Sequence, residues 1–222
     1  MMDFDISPIT NSWQFLARAL GVTILLSVSS ILLGLVIGLA VGAARTYGGR
    51  VVDSALGLYV DSMRAIPVLA VLVWVYFAFP LLIGHSLNAL LAGILGLGLH
   101  LGAYVSEVIR AGLGSVRPGQ MRAALALGMS PWQAIREIIL PQAVIRMLPA
   151  FGSLFVIAIK DSAIASVIAV PELLRQSQIV AGQTFRPIEI YTAAMLVYFL
   201  LCYPVARGVD AIYRRLAPLG AS

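Results

Sequence analysis

The chain has 222 residues, 60% of them hydrophobic and 11% charged, with a mean hydropathy of +0.96. Soluble domains carry about 25% charged residues, so this composition excludes one and predicts a membrane protein, which apolar runs of helix-spanning length make all-α. The net charge of +5 rests on Arg, with Lys160 the single Lys; among apolar runs it reads as a loop-orientation signal rather than a nucleic-acid surface.

The first residues, MMDFDISPITNSWQ, are acidic and polar. They lack the basic region and cleavage site of a signal peptide, so the first apolar stretch is expected to stay as a span. Arg18 to Arg45 encloses a charge-free run and predicts a crossing at 19–43. Gly34, Gly38 and Gly42 recur every four residues there. That spacing lets helices approach closely, within the bundle or at a subunit-dimer face. Arg64 to Glu107 encloses 42 more charge-free residues, enough for crossings at 58–80 and 86–108. Pro80, Gly84, His85 and Asn88 mark the turn between them. Arg64 lies one turn from Asp61, so an i,i+3 ion pair competes with a place on a substrate pathway.

The segment 109–147 is too polar to cross. "RPGQMRAALALG" starts a helix near Gly119, which Gly128 is placed to end in a left-handed C′ conformation. "SPWQ" restarts one: Ser130 suits the N-cap, Pro131 the first position and Gln133 a capping box. Pro141 is expected to end this second helix. Two short helices then meet at a sharp corner. The second carries Trp132, Ile135 and Ile139 on one side, and Arg136 and Glu137 mostly on the other. Such a helix can lie in the lipid interface, pack on its own bundle or insert into a partner's groove.

Residues 148–168 predict a fourth span with Lys160 and Asp161 at its centre. Neighbours on a helix point about 100° apart, so these two cannot form one intrahelical pair. Intramembrane charges are costly, so at least one is expected to face a partner span or the pathway. "PELLRQSQIVAGQTFRPIE" follows. Its Glu172, Arg175 and Arg186 either meet an outside partner or belong to a solvated connector. The fifth span is expected at 190–210. Cys202 is alone, so no intrachain disulfide forms. His85 and His100 have no carboxylate cluster, so no metal site is expected.

Five spans put the ends on opposite sides. Loops 45–54 and 109–147 with the C-terminal end hold ten Arg, against three in the other set. The positive-inside rule places the N-terminus outside and segment 109–147 in the cytoplasm.

The segment also resembles the coupling motif of permeases of binding-protein-dependent ABC importers: Glu-Ala-Ala, three residues, Gly, nine residues, Ile-x-Leu-Pro. Ala123, Ala124, Gly128, Ile138, Leu140 and Pro141 fall in register, as does the flanking pair Gly119–Gln120. "SEVIRAGLGSVRPGQ", "YVDSMRAIPVL", "IKDSAIASVIAVPELL" and "IEIYTAAMLVYFLLCYP" are similar to the polar amino acid branch of that family. The likeness covers nearly the whole chain. It implies the type I importer permease fold: one transmembrane domain over 1–222, five spans and a cytoplasmic coupling loop. Arg122 stands where the motif has Glu. Permeases for acidic amino acids often lack this acid too, which points to glutamate, aspartate or glutamine.

No Walker A sequence surrounds Lys160, so ATP hydrolysis must come from elsewhere. The resemblance implies two ATP-binding subunits that use ATP and Mg, a periplasmic binding protein and a second permease copy or paralogue. It also implies the bacterial inner membrane and no cofactor bound by this chain. The corner helix would sit in a cleft of the ATPase. The competing class is an ATP-independent transporter or channel subunit, but no internal repeat is visible and the motif would go unexplained.

Overall fold

The structure, a computed structural model, describes residues 4–217, and every regular element among them is helical. A short helix, α1 (Ser7–Asn11), leads into α2 (Trp13–Tyr47). Four helical runs are long and apolar enough to cross a membrane: α2, α6 (Ala89–Gly114), the run Pro131–Ile168 and α11 (Pro187–Leu216). The fifth candidate is a bent pair, α3 (Gly49–Ala65) and the arm Val68–Ile83, set at 106° to each other.

The bend interrupts the stretch 58–80, which the sequence reads as one continuous crossing. Ile66 is extended (φ −85, ψ 132) ahead of Pro67. The proline ring disfavours helical geometry in the residue before it, so the helix stops there. The second arm comprises α4 (Val68–Val73), a π turn at Trp74–Ala78 and α5 (Phe79–Ile83). Gly84, left-handed at φ 72, closes it, and Asn88 caps α6 by accepting from the Leu91 amide at 2.7 Å.

A second π turn explains why Pro141 does not end its helix. The sequence places a helix end there, but the chain runs on: α8 (Pro131–Ala134), a π turn at Ile135–Ile139, then α9 (Leu140–Asp161). The Leu140 amide bonds the Ile135 carbonyl, five residues back. Proline normally collides with the carbonyl four residues earlier. A widened turn re-routes that ladder, so the ring is admitted. Pro80 sits at the same place, just after its own π turn. The second corner helix and the fourth span are therefore one run, Pro131–Ile168, ending in a 3-10 stretch at Ser162–Ile168.

At the bundle centre lies α6, whose most apolar window is 56% buried against 28% for α2 and 22% for α11. Glycines seat it against α2. A Cβ on Gly38 would fall 2.3 Å from Val105 Cγ1, and one on Gly42 2.7 Å from the Ser106 carbonyl oxygen. From the other side, Gly98 and Gly102 of α6 receive Leu33 and Ile37. The glycine stripe thus packs inside this chain. Two apolar clusters result: one with Leu26, Leu72, Leu97 and Ile168, the other with Leu101, Val105, Ile139 and Met147.

Candidate functional site

The corner is built as its residues dictate. Helix α7 (Pro118–Ala126) starts on Pro118. Its end is a Schellman cap: Met129 N–H bonds the Ala124 carbonyl at 3.1 Å and Gly128 N–H the Leu125 carbonyl at 3.0 Å. Gly128 has φ +84, the left-handed conformation that glycine adopts freely. The capping box follows. Ser130 N–H donates to Gln133 Oε1 at 2.8 Å, and Gln133 N–H to Ser130 Oγ at 3.3 Å.

Gly119, Arg122, Ala123, Gly128, Leu140 and Pro141 are exposed, Gln120 and Ile138 are half-buried, and Ala124 is buried. Leu127 (84% exposed) and Trp132 (69%) project from the corner, while Ala134 and Ile139 turn into the bundle. Trp132 is therefore on a different side from Ile139, with which the sequence pattern groups it. An outward apolar knob on a doubly capped frame suits a complementary groove.

Lys160 and Asp161 part company. Asp161 lines a cavity of about 180 Å³ between the two apolar clusters, with Ser30, His100, Tyr104 and Ile157 among its other walls. Ser30 Oγ is fully buried there without a hydrogen-bond partner. Lys160 faces a different groove, between α9 and α11, lined also by Ser153 and Asp210. Arg64 lines neither. Its guanidinium stands 5.7 Å over the Tyr104 ring and 3.9 Å from Glu107, so its ionic partner is Glu107 rather than Asp61.

At the opposite end of the bundle from the corner, Glu172 departs from its expected place. It is fully buried and caps α10 (Leu173–Thr184), accepting from the Leu174 and Arg175 amides and from Tyr198 Oη at 2.7 Å. A side chain held that way is out of reach of an outside partner, so it drops from the contact set. Arg175 is half-buried, and Arg186 pairs with Glu189 at 3.3 Å.

The family model of the binding-protein-dependent transport system inner membrane component matches residues 30–218. The chain belongs to this family. The permease is 34% identical over 216 residues to the glutamine transport system permease protein GlnP of Escherichia coli strain K12, covering 97% of this chain and 99% of the relative. It is 36% identical over 192 residues to the probable amino-acid ABC transporter permease protein YckA of Bacillus subtilis, covering 86% and 84%. Its fold matches an amino acid ABC transporter crystallised with histidines, at 31% identity and TM-score 0.89, over 97% and 100% of the two chains. The inward-facing MetNI methionine ABC transporter, at 22% identity and TM-score 0.79 over 93% and 98%, shares the fold.

The permease is thus a multi-pass inner-membrane subunit of an ABC importer with an all-helical permease fold. Ser30 and Glu107 are not among the residues that the sequence pattern singles out, and His100 enters there only as a metal candidate. Their signal was available: each is a polar side chain inside or at the edge of an apolar span, where desolvation makes such residues expensive.

Proposed function

We propose that the permease imports glutamine or a similar uncharged polar amino acid, delivered by a periplasmic binding protein and driven by two ATP-binding subunits. The corner would dock in those subunits through Gly119, Gln120, Arg122, Ala123, Ala124, Gly128, Ile138, Leu140 and Pro141, with Leu127 and Trp132 as apolar anchors. Arg175 and Arg186 would meet the binding protein. A second permease chain completes the pathway.

Asp161 at the cavity carries the substrate reading. The α-ammonium of any amino acid suits a carboxylate, and Ser30, His100 and Tyr104 suit an amide side chain. A second carboxylate does not. Two like charges about 6 Å apart repel by about 3 kcal/mol at an effective dielectric near 20, roughly a hundredfold in affinity. That weighs against glutamate and aspartate, which the Arg122 position alone leaves open. The relatives named for glutamine support the same choice.

The test is ATP-driven uptake by the complex reconstituted with its binding protein, across glutamine, glutamate, aspartate and arginine. Glutamine is expected first, with uptake lost in Asp161→Asn while the complex still assembles. Glutamate carried as well as glutamine would overturn the substrate assignment. Failure of an ATPase to co-purify would overturn the docking assignment.

A further inference from the structure

One carboxylate, Glu107 on α6, gathers cations from three helices. Its Oε1 lies 2.5 Å from Arg45 Nη1 at the end of α2, and its Oε2 lies 3.9 Å from Arg64 Nη1 at the end of α3. Arg110, one turn along α6, grips both oxygens at 3.2 and 2.8 Å. Arg45 is the most enclosed guanidinium, its side chain 11% exposed against 43% and 46% for the other two. Its Nε also donates to Asp53 of α3 at 2.9 Å, and Gly57 of α3 leaves room for it. Further ties run from α3 to α6: Tyr59 Oη donates to the Leu99 carbonyl at 2.7 Å, and the Arg64 carbonyl accepts from Tyr104 Oη.

These ties all lie on one side of the Ile66–Pro67 bend. Beyond it, the arm Val68–Ile83 packs through Val71, Leu72 and Val75 into the other apolar cluster. Apolar contacts between membrane helices slide at little cost, because lipid can replace them. The short charge-assisted bonds of Arg45 to Glu107 and Asp53 resist sliding and set one register, and the longer Arg64–Glu107 ion pair adds to them. From Glu107, α6 runs two turns to its end at Gly114 and then, after three residues, into α7 and the corner.

We propose that Glu107 is a positioning residue of the transport cycle: by holding Arg45 and Arg64 it makes α2 and α3 follow α6 when the corner moves, with Ile66–Pro67 as the hinge. The inference rests on the importer reading above but not on the choice of substrate.

The experiment uses the whole reconstituted complex and reads glutamine transported per ATP hydrolysed. A residue needed only for folding lowers the yield of complex and leaves that ratio alone. In Glu107→Gln, basal ATP hydrolysis is expected to persist while the ratio falls about fivefold or more. Glu107→Asp, which keeps the charge, should recover most of it. Arg110→Gln removes a pair internal to α6 and should stay within about twofold of wild type. A wild-type ratio in the assembled Glu107→Gln complex, or an equal loss in Arg110→Gln, overturns the proposal. Should Glu107→Gln fail to assemble, Arg64→Gln decides: a reduced ratio supports the proposal and an unchanged one overturns it. If the wild-type complex carries no glutamine, the substrate assignment fails. Glu107 is then read from stimulation of ATP hydrolysis by the binding protein over the basal rate, with the same expected loss.

Discussion

A carboxylate buried at the head of a helix costs free energy unless its oxygens find donors. Glu172 finds three, two backbone amides and the Tyr198 hydroxyl. Burial still pushes its carboxyl above the ordinary 4.5, and the donors oppose that only in part. A pKa raised in the folded state means that the fold prefers the protonated group. Its contribution to stability is full below the unfolded value and is lost as pH rises through the folded one. The melting temperature of the purified permease should therefore fall as pH rises from about 4.5 through the window above it. Glu172→Gln should remove that slope, and a slope that survives belongs to other groups. The sequence marks this Glu as one of three charged residues in an outer loop. Its burial depends on Tyr198, 26 residues away on another helix, and no local pattern announces that.

At the scale of elements, glycine spacing was the clearest signal in the chain. It predicted close helix approach but left two partners open, and the positions of Leu101, Val105 and Ile109 decided for α6. A side chain on Gly38 must displace Val105 or the Gly102 carbonyl. Overpacking of that kind costs about 1–3 kcal/mol or more. Gly38→Leu should lower the yield and melting temperature of folded permease, whereas Gly21→Ala, which meets nothing within 4 Å, should not. Equal behaviour of the two variants would remove α2–α6 packing as the cause. Prolines were less legible. Pro67 breaks its helix, while Pro80 and Pro141 stay inside theirs. A π turn stands ahead of each of the latter two, a backbone choice with no residue signature of its own.

For the whole molecule, the Arg distribution predicts which side each loop occupies. In a Cys202→Ser background, Ser130→Cys at the corner should react with a membrane-impermeant maleimide only in inside-out vesicles. Gly182→Cys, on the exposed side of α10, should react only from the outside. The reverse pattern would invert the topology and put the corner out of reach of any cytoplasmic ATPase.

The membrane setting, the helical class, the capped corner and the family are all legible in the residues. These are local facts, carried by composition, by apolar run length and by residues whose caps lie within a few positions. That Lys160 and Asp161 line different grooves, that Glu172 is buried and that Glu107 joins three helices follows from helix packing alone. Each depends on which helix stands opposite, and partners as far apart as Arg45 and Glu107 are brought together by packing that no local window contains.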